Sequence, residues 1–331
     1  MKWATRLARR LGWRGPFEPT QHVWSRGLAL LCDRNGGLSF VRGQRGGKPL
    51  LPIDVRAYED VRDGDLVWTR ATSLPEFLDK VLPRIEARFV LLTGDEDWSI
   101  PGDFARAAEL CASDKLLAWY AQNFDGVDSS GKIFPLPIGL DFHTISNRRR
   151  WGHPLANPRE QEVELEELQA EMPENARRLA RVHADFHLHK HARSLMGESR
   201  DTVESTLRHN PLIDFQAEKI PRLKLWREKT RYAFVVSPHG NGLDCHRTWE
   251  SLALGNIVIV KRSPLDPLYG GLPVVTVNQW SDITEVALQR WQRQYGPLFA
   301  QPAFRERLTN RYWIDSIRAD AKARLRAAAP S

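Results

Sequence analysis

The stretch Arg231–Lys261, RYAFVVSPHGNGLDCHRTWESLALGNIVIVK, decides the fold. Tyr232 to Val236 are aromatic and β-branched, the composition of a strand buried in a parallel sheet. Pro238, Gly240, Asn241 and Gly242 then interrupt regular structure. Asp244 is placed to cap a helix that starts near His246. Trp249, Leu252 and Ala253 give that helix an apolar face. Gly255 is positioned to end it, and Ile257 to Val260 form the next buried strand. Such a unit sets a polar loop and a helix N-terminus at the carboxyl edge of a parallel sheet, where open α/β folds bind ligands.

The loop suits an anionic, hydroxyl-rich ligand. Gly240 and Gly242 allow close backbone approach and are expected to take positive φ. Ser237 and Asn241 supply short hydrogen-bonding side chains. His239, His246, Arg247 and Lys261 supply donors or positive charge. Free N–H groups at the helix start near Asp244 attract phosphate. Glu250 follows Arg247 by one turn, and its carboxylate suits the two hydroxyls of a ribose. The competing reading is a surface Arg247–Glu250 pair worth a few tenths of a kcal/mol. The loop is neither a Walker loop nor GxGxxG, so its pattern does not name the ligand.

These residues carry a resemblance. SPHGNGLDCHRTWESLALGNIVIVKRSPLDPLYGGLPVV resembles the nucleotide-sugar-binding half of exostosin-like glycosyltransferases, which have the GT-B fold. Ser237, Gly240, Gly242, Arg247, Glu250, Gly255 and Ile257 to Val260 fall on the family's positions. Val258 stands where many relatives have Pro. FPLPIGLDFHT (Phe134–Thr144) and RYWIDSIR (Arg311–Arg318) are also similar to bacterial members. The specific match covers about a quarter of the chain. The resemblance implies an α/β protein with two Rossmann-like domains facing a cleft. It also implies a nucleotide-diphosphate sugar as donor, of UDP or GDP type, a glycan or lipid-linked acceptor, and no cofactor. In such a fold the loop after the strand that ends near His187 or Leu188 meets the diphosphate, which brings in Lys190 and Arg193.

Composition bounds the alternatives. The 331 residues allow two domains of ordinary size. Hydrophobic content of 42% suffices for packed cores. The net charge of +7 favours anionic partners. Lys and Arg are spread rather than massed, and no nucleic-acid-binding signature is present, so nucleic acid is not expected. Cys32, Cys111 and Cys245 are odd in number and far apart, which fits a reducing cytoplasm rather than a disulfide framework. No apolar run approaches a membrane span. At the start, MKWATRLARRLGW carries Trp3, Leu7 and Leu11 on one helical face with basic residues on others. That suits peripheral contact with an anionic membrane or packing on the protein's own domain.

Strand and helix patterns alternate up to residue 146, marking a first Rossmann-like domain on the acceptor side. Its apolar runs are Leu28 to Leu31, Asp65 to Thr69, Phe89 to Thr93, Lys115 to Ala121 and Lys132 to Leu136. Helical patterns cover Pro75 to Arg88 and Asp103 to Ala112. Residues 147–178 form a connecting segment with an acidic helix, Pro158 to Glu171. Alternation resumes over 179–310 as the donor-side domain. Residues 311–331 form a last helix that the resemblance packs back on the first domain.

TGDEDW (Thr93–Trp98) places acids at a strand's carboxyl end. Asp95, and likewise Asp141 in PIGLDFH, is a candidate base for an acceptor hydroxyl. The run also reads as D-x-D, a metal-and-nucleotide motif of the other large glycosyltransferase fold, and a solvated loop accounts for it equally well. His183, His187, His189 and His191 raise a zinc site, but no matching acid or Cys spacing supports it. Cationic side chains and a helix dipole can replace a metal, so none is expected to be required. The expectation is a metal-independent, inverting glycosyltransferase of bacterial-type polysaccharide or glycoconjugate synthesis. The alternatives are a metal-dependent D-x-D enzyme and a non-catalytic GT-B-like nucleotide- or glycan-binding protein.

Overall fold

The computed structural model describes residues 20–43, 51–126, 128–186 and 193–327. The basic amphipathic start of the chain and Lys190 lie outside them. Two parallel sheets organise the molecule. In the first, β1 (Leu66–Arg70), β2 (Phe89–Gly94), β3 (Leu116–Ala121) and β4 (Ile133–Pro135) lie side by side in chain order. In the second, β5 (Leu179–Ala184), β6 (Ile213–Phe215), β7 (Tyr232–Val236), β8 (Ile257–Lys261) and β9 (Val274–Val277) take the order β6-β5-β7-β8-β9. β1, β2 and β7 are buried throughout, which is why their sequences are continuous apolar runs rather than alternating ones. The second sheet reverses its winding between β5 and β7, and the crevice at such a switch point is where doubly wound sheets bind ligands.

The decisive stretch folds as its residues dictate. The helix His246–Ala253 buries Trp249, Leu252 and Ala253. Gly255 follows with φ +73°, the left-handed conformation that a side chain disfavours. The acidic helix Pro158–Glu171 opens with a capping box between Asn157 and Glu160.

Two expected elements differ. The run Leu28 to Leu31 is not a strand but the end of a buried helix, Ser25–Leu30. A short apolar run fits either state, and here packing chose. The segment from Leu74 to Arg84 is no continuous helix: one α turn gives way to a wide-turn stretch over Phe77–Val81 and a tight turn over Leu82–Arg84. Pro83 lacks the N–H that a regular helix would need there.

The last helix, Asn310–Ala327, lies against the first sheet. The Tyr120 hydroxyl donates to Asp320 at 2.8 Å, Arg318 pairs with Asp33, and Trp313 meets Trp249 edge-on. One short segment, Pro137 to Asp141, ties the two halves together. The Ile138 N–H donates to Asp244 (2.8 Å), His246 Nδ1 donates to the Gly139 carbonyl (2.7 Å), and Arg222 donates to the Asp141 carbonyl (3.1 Å). Gly139 is held at φ +69°, where a Cβ would come within 2.1 Å of the Val23 carbonyl oxygen. Among the described residues, no helix is long and apolar enough to cross a membrane.

Candidate active site

The carboxyl ends of both sheets open on one cavity of about 340 Å³. Asp97, Ile138, Asp141 and Trp151 line it from the first half. Asp185, Arg200, Gly240, Asn241, Gly242, Asp244, Arg247 and Glu250 are among those lining it from the second. A larger cavity of about 750 Å³, bordered by Arg178, Gly255 and Gln292, sits at the opposite, amino edge of the second sheet. The carboxyl-edge cavity is the one that holds the chemistry-bearing loop.

In that loop the Gly240 N–H donates to the Gly242 carbonyl at 3.0 Å. Neither glycine takes positive φ. Their small size serves close approach instead: a Cβ on Gly240 would meet Arg200 at 2.8 Å, and one on Gly242 would meet Asn123 at 2.6 Å. Asn241 lies between them in the cavity wall. The Ser237 and Thr248 hydroxyls share a hydrogen bond of 2.9 Å. His239 Nδ1 donates to the Leu243 carbonyl, and burial pushes this imidazole below its ordinary value. Ser237 and His239 thus shape the loop from behind and are not among the residues lining the cavity.

Arg247 does face the cavity. Its partner is Asp185, the residue after β5, at 3.1 Å from Nε, and Asp185 also accepts from Lys229 Nζ at 2.7 Å. The Asp185 side chain is 6% exposed and that of Lys229 1%. Burial opposes ionisation of Asp185, but Lys229 and Arg247 outweigh it and hold the carboxyl well below the usual carboxylate range. The competing reading, an Arg247–Glu250 pair, does not form: Arg247 pairs with Asp185 instead. The Glu250 carboxylate makes no hydrogen bond or ion pair among the described residues, though its charge acts on Arg222, and Glu250 lines the cavity one helical turn from Arg247.

Other expected donor-site residues are committed elsewhere. Asp244 is not the helix cap; Cys245 holds that position without a side-chain bond. Instead Asp244 accepts from the N–H groups of Ile138 and Cys245 and from the Trp249 indole. Burial pushes its carboxyl up to about 6. Lys261 pairs with Glu198, and Arg193 bridges to Asp103 at 2.7 Å and to the Asp97 carbonyl at 3.0 Å. Both project from β8 and the post-β5 loop, but outside the cavity wall, because these acids capture them first.

On the first half, Asp95 is not placed to act as a base. Arg26 Nε holds both its oxygens at 3.0 and 3.1 Å, and Arg70 adds a second guanidinium. Burial raises Asp95, but these two charges prevail and hold it below the ordinary range. A carboxylate so occupied serves neither proton transfer nor a D-x-D metal site. Asp141, 7% exposed, does face the cavity and stands 3.1 Å from His143 Nδ1. Burial opposes its charge, but His143, His246 and the Thr144 N–H keep it ionised. Of the histidine-rich segment, His183 is buried and stacks on Tyr232, with Nε2 3.3 Å from Gln216; His187, His189 and His191 lie outside the described residues.

Sequence reasoning missed three groups. Asp185 is one acid in a histidine-rich run whose strand was expected to continue to about His187; the strand ends at Ala184, which turns Asp185 into the cavity. Arg200 and Arg222 reach the cavity from helices whose sequences mark nothing unusual.

No family model matches the chain. No curated protein sequence matches it either. Among solved structures it is similar to a UDP-forming α,α-trehalose-phosphate synthase from Burkholderia vietnamiensis, at TM-score 0.41 and 12% identity over 84% of this chain and 75% of that one. It is also similar to an α,α-trehalose 6-phosphate synthase from Burkholderia multivorans, at TM-score 0.37 and 12% identity over 83% of this chain and 77% of that one. These scores record a resemblance in outline; the two-sheet α/β architecture rests on the chain's own strands.

Proposed function

We propose that the chain is a GT-B glycosyltransferase that moves a sugar from a nucleotide-diphosphate donor, of UDP or GDP type, to a hydroxyl of a glycan or lipid-linked acceptor. One observation carries the reading. Arg247, a helix start that no side chain caps, and Glu250, whose carboxylate makes no hydrogen bond or ion pair among the described residues, share one cavity at the β5/β7 switch point. Arg247, Arg200 and the helix start would offset the diphosphate charge that grows as the sugar leaves. Glu250 would accept from the ribose hydroxyls. The acceptor hydroxyl would approach from the side of the first half, where Asp141 stands. Charge on the diphosphate is met by guanidinium groups, so donor binding is proposed to need no metal. Inverting transfer, the exostosin-like kinship of residues 237–275, and a place at the cytoplasmic face of a membrane in polysaccharide or glycoconjugate synthesis belong to the same proposal.

A thermal-shift screen of nucleoside diphosphates in chelator tests it. A ligand of the folded state at a hundredfold excess over its Kd stabilises by about 2.7 kcal/mol. One nucleoside diphosphate is expected to raise the melting temperature. Arg247→Ala and Glu250→Ala each remove a charge-assisted contact worth about 1.5–3 kcal/mol and weaken binding roughly tenfold or more. Silence toward every nucleoside diphosphate, or unchanged affinity in both variants, rejects the donor site.

A further inference from the structure

Three side chains meet where the two halves join. Asp141 and His143 come from the segment after β4, and His246 opens the helix after β7. One ligand atom of each lies within 4.8 Å of the other two. The Asp141 carboxylate and His143 Nδ1 are 3.1 Å apart, yet Nδ1 is buried and makes no hydrogen bond. A carboxylate oxygen and an imidazole nitrogen therefore converge without the alignment of a hydrogen bond, while the Thr144 hydroxyl lies 3.4 Å from His143 Nε2. The two imidazole rings lie 5.4 Å apart.

The tautomer of His246 follows from its partner. A carbonyl only accepts, so the Gly139 oxygen 2.7 Å from Nδ1 fixes the proton on Nδ1 and leaves the Nε2 lone pair free. A backbone carbonyl is one of the outer partners, with carboxylates and water, that orient metal-binding imidazoles. Asp141 is likewise steadied by the Thr144 N–H at 2.9 Å. Bonds of about 2.0–2.2 Å to a tetrahedral ion set ligand atoms roughly 3–4 Å apart, so closing this set asks for shifts below about 1 Å.

We propose that Asp141, His143 and His246 form a binding site for a divalent transition cation of zinc type. Two neutral imidazoles and one carboxylate are a donor set for zinc, cobalt or iron(II) rather than for magnesium or calcium, which prefer oxygen. Asp141 and His246 line the cavity, so a fourth coordination position opens toward it. The site adjoins the groups assigned to the diphosphate, since His246 opens the helix whose start is one of them, and cation and nucleotide binding are read separately. It goes beyond the expectation from sequence, which dispensed with a metal by matching cationic side chains to phosphate charge.

The test uses the full chain, stripped with chelator and titrated with cobalt(II). Visible d–d absorption and elemental analysis after dialysis are expected to show one equivalent bound, displaced by zinc. His143→Ala and His246→Ala should each lose binding by at least tenfold, whereas His209→Ala on the exposed surface should not. Because His246 also bonds Gly139, His143→Gln serves as a second variant, with melting curves confirming that each protein is folded. Substoichiometric cobalt in the parent chain, or full binding in folded His143 and His246 variants, overturns the site. Nucleotide stabilisation in chelator, measured on the same samples, reads the donor site separately.

Discussion

Asp185→Asn is expected to destabilise the folded chain by about 3–5 kcal/mol at pH 7, the cost of breaking a buried ion pair from one side. The substitution leaves the ammonium of Lys229 and the guanidinium of Arg247 facing each other without an anion between them. Urea unfolding followed by tryptophan fluorescence measures it. The pH dependence gives a second check. An unfolded aspartate titrates near 3.9, and the folded Asp185 carboxyl lies lower. Its stabilisation is therefore present above about pH 4 and is lost as pH falls through the folded value. The gap between parent and variant should be full at pH 7 and narrow toward pH 3. A gap under about 1 kcal/mol at pH 7 would show that Asp185 does not bind these cations as described.

Trp249→Ala should cost about 3–5 kcal/mol as well, by a different route. The indole is fully buried, meets Trp313 edge-on at 6.1 Å and donates to both oxygens of Asp244. Removing it opens a void and strips a donor from a buried acid that also accepts from Ile138 in the other half. Trp249→Phe keeps a buried aromatic ring and loses the N–H with part of the volume, so a smaller loss of about 1–3 kcal/mol is expected. Equal losses for both variants would mean that packing contributes little.

The unit from Tyr232 to Lys261 was readable because every signal in it is local. Apolar composition marks the strands, helical spacing marks the buried face of His246–Ala253, and Gly255 marks the end. The cavity's position followed from the strand–loop–helix unit, which sets its loop at the carboxyl edge of the sheet, with Arg247 and Glu250 placed on its wall by helix geometry. What was not readable depends on partners far along the chain. Lys261 and Arg193 look like phosphate ligands by charge alone, but Glu198 and Asp103 occupy them. Asp95 looks like a free acid until Arg26, distant in sequence, folds onto it. Gly240 and Gly242 announced unusual dihedrals, whereas their purpose is clearance for Arg200 and Asn123. The meeting of His143 with His246 joins residues about a hundred positions apart, which no periodicity encodes.

The strap from Pro137 to Asp141 has a consequence for how this architecture tolerates change. Because three separate bonds from the other half end on five consecutive residues, this strap is a dense point of registry between the lobes, much as two plates share a hinge pin. Lengthening or shortening the chain there by one residue would shift the acceptor wall against the donor wall while each sheet kept its own core. Surface loops elsewhere can grow without that penalty, so diversification of such a scaffold is channelled away from the strap and into its outer turns.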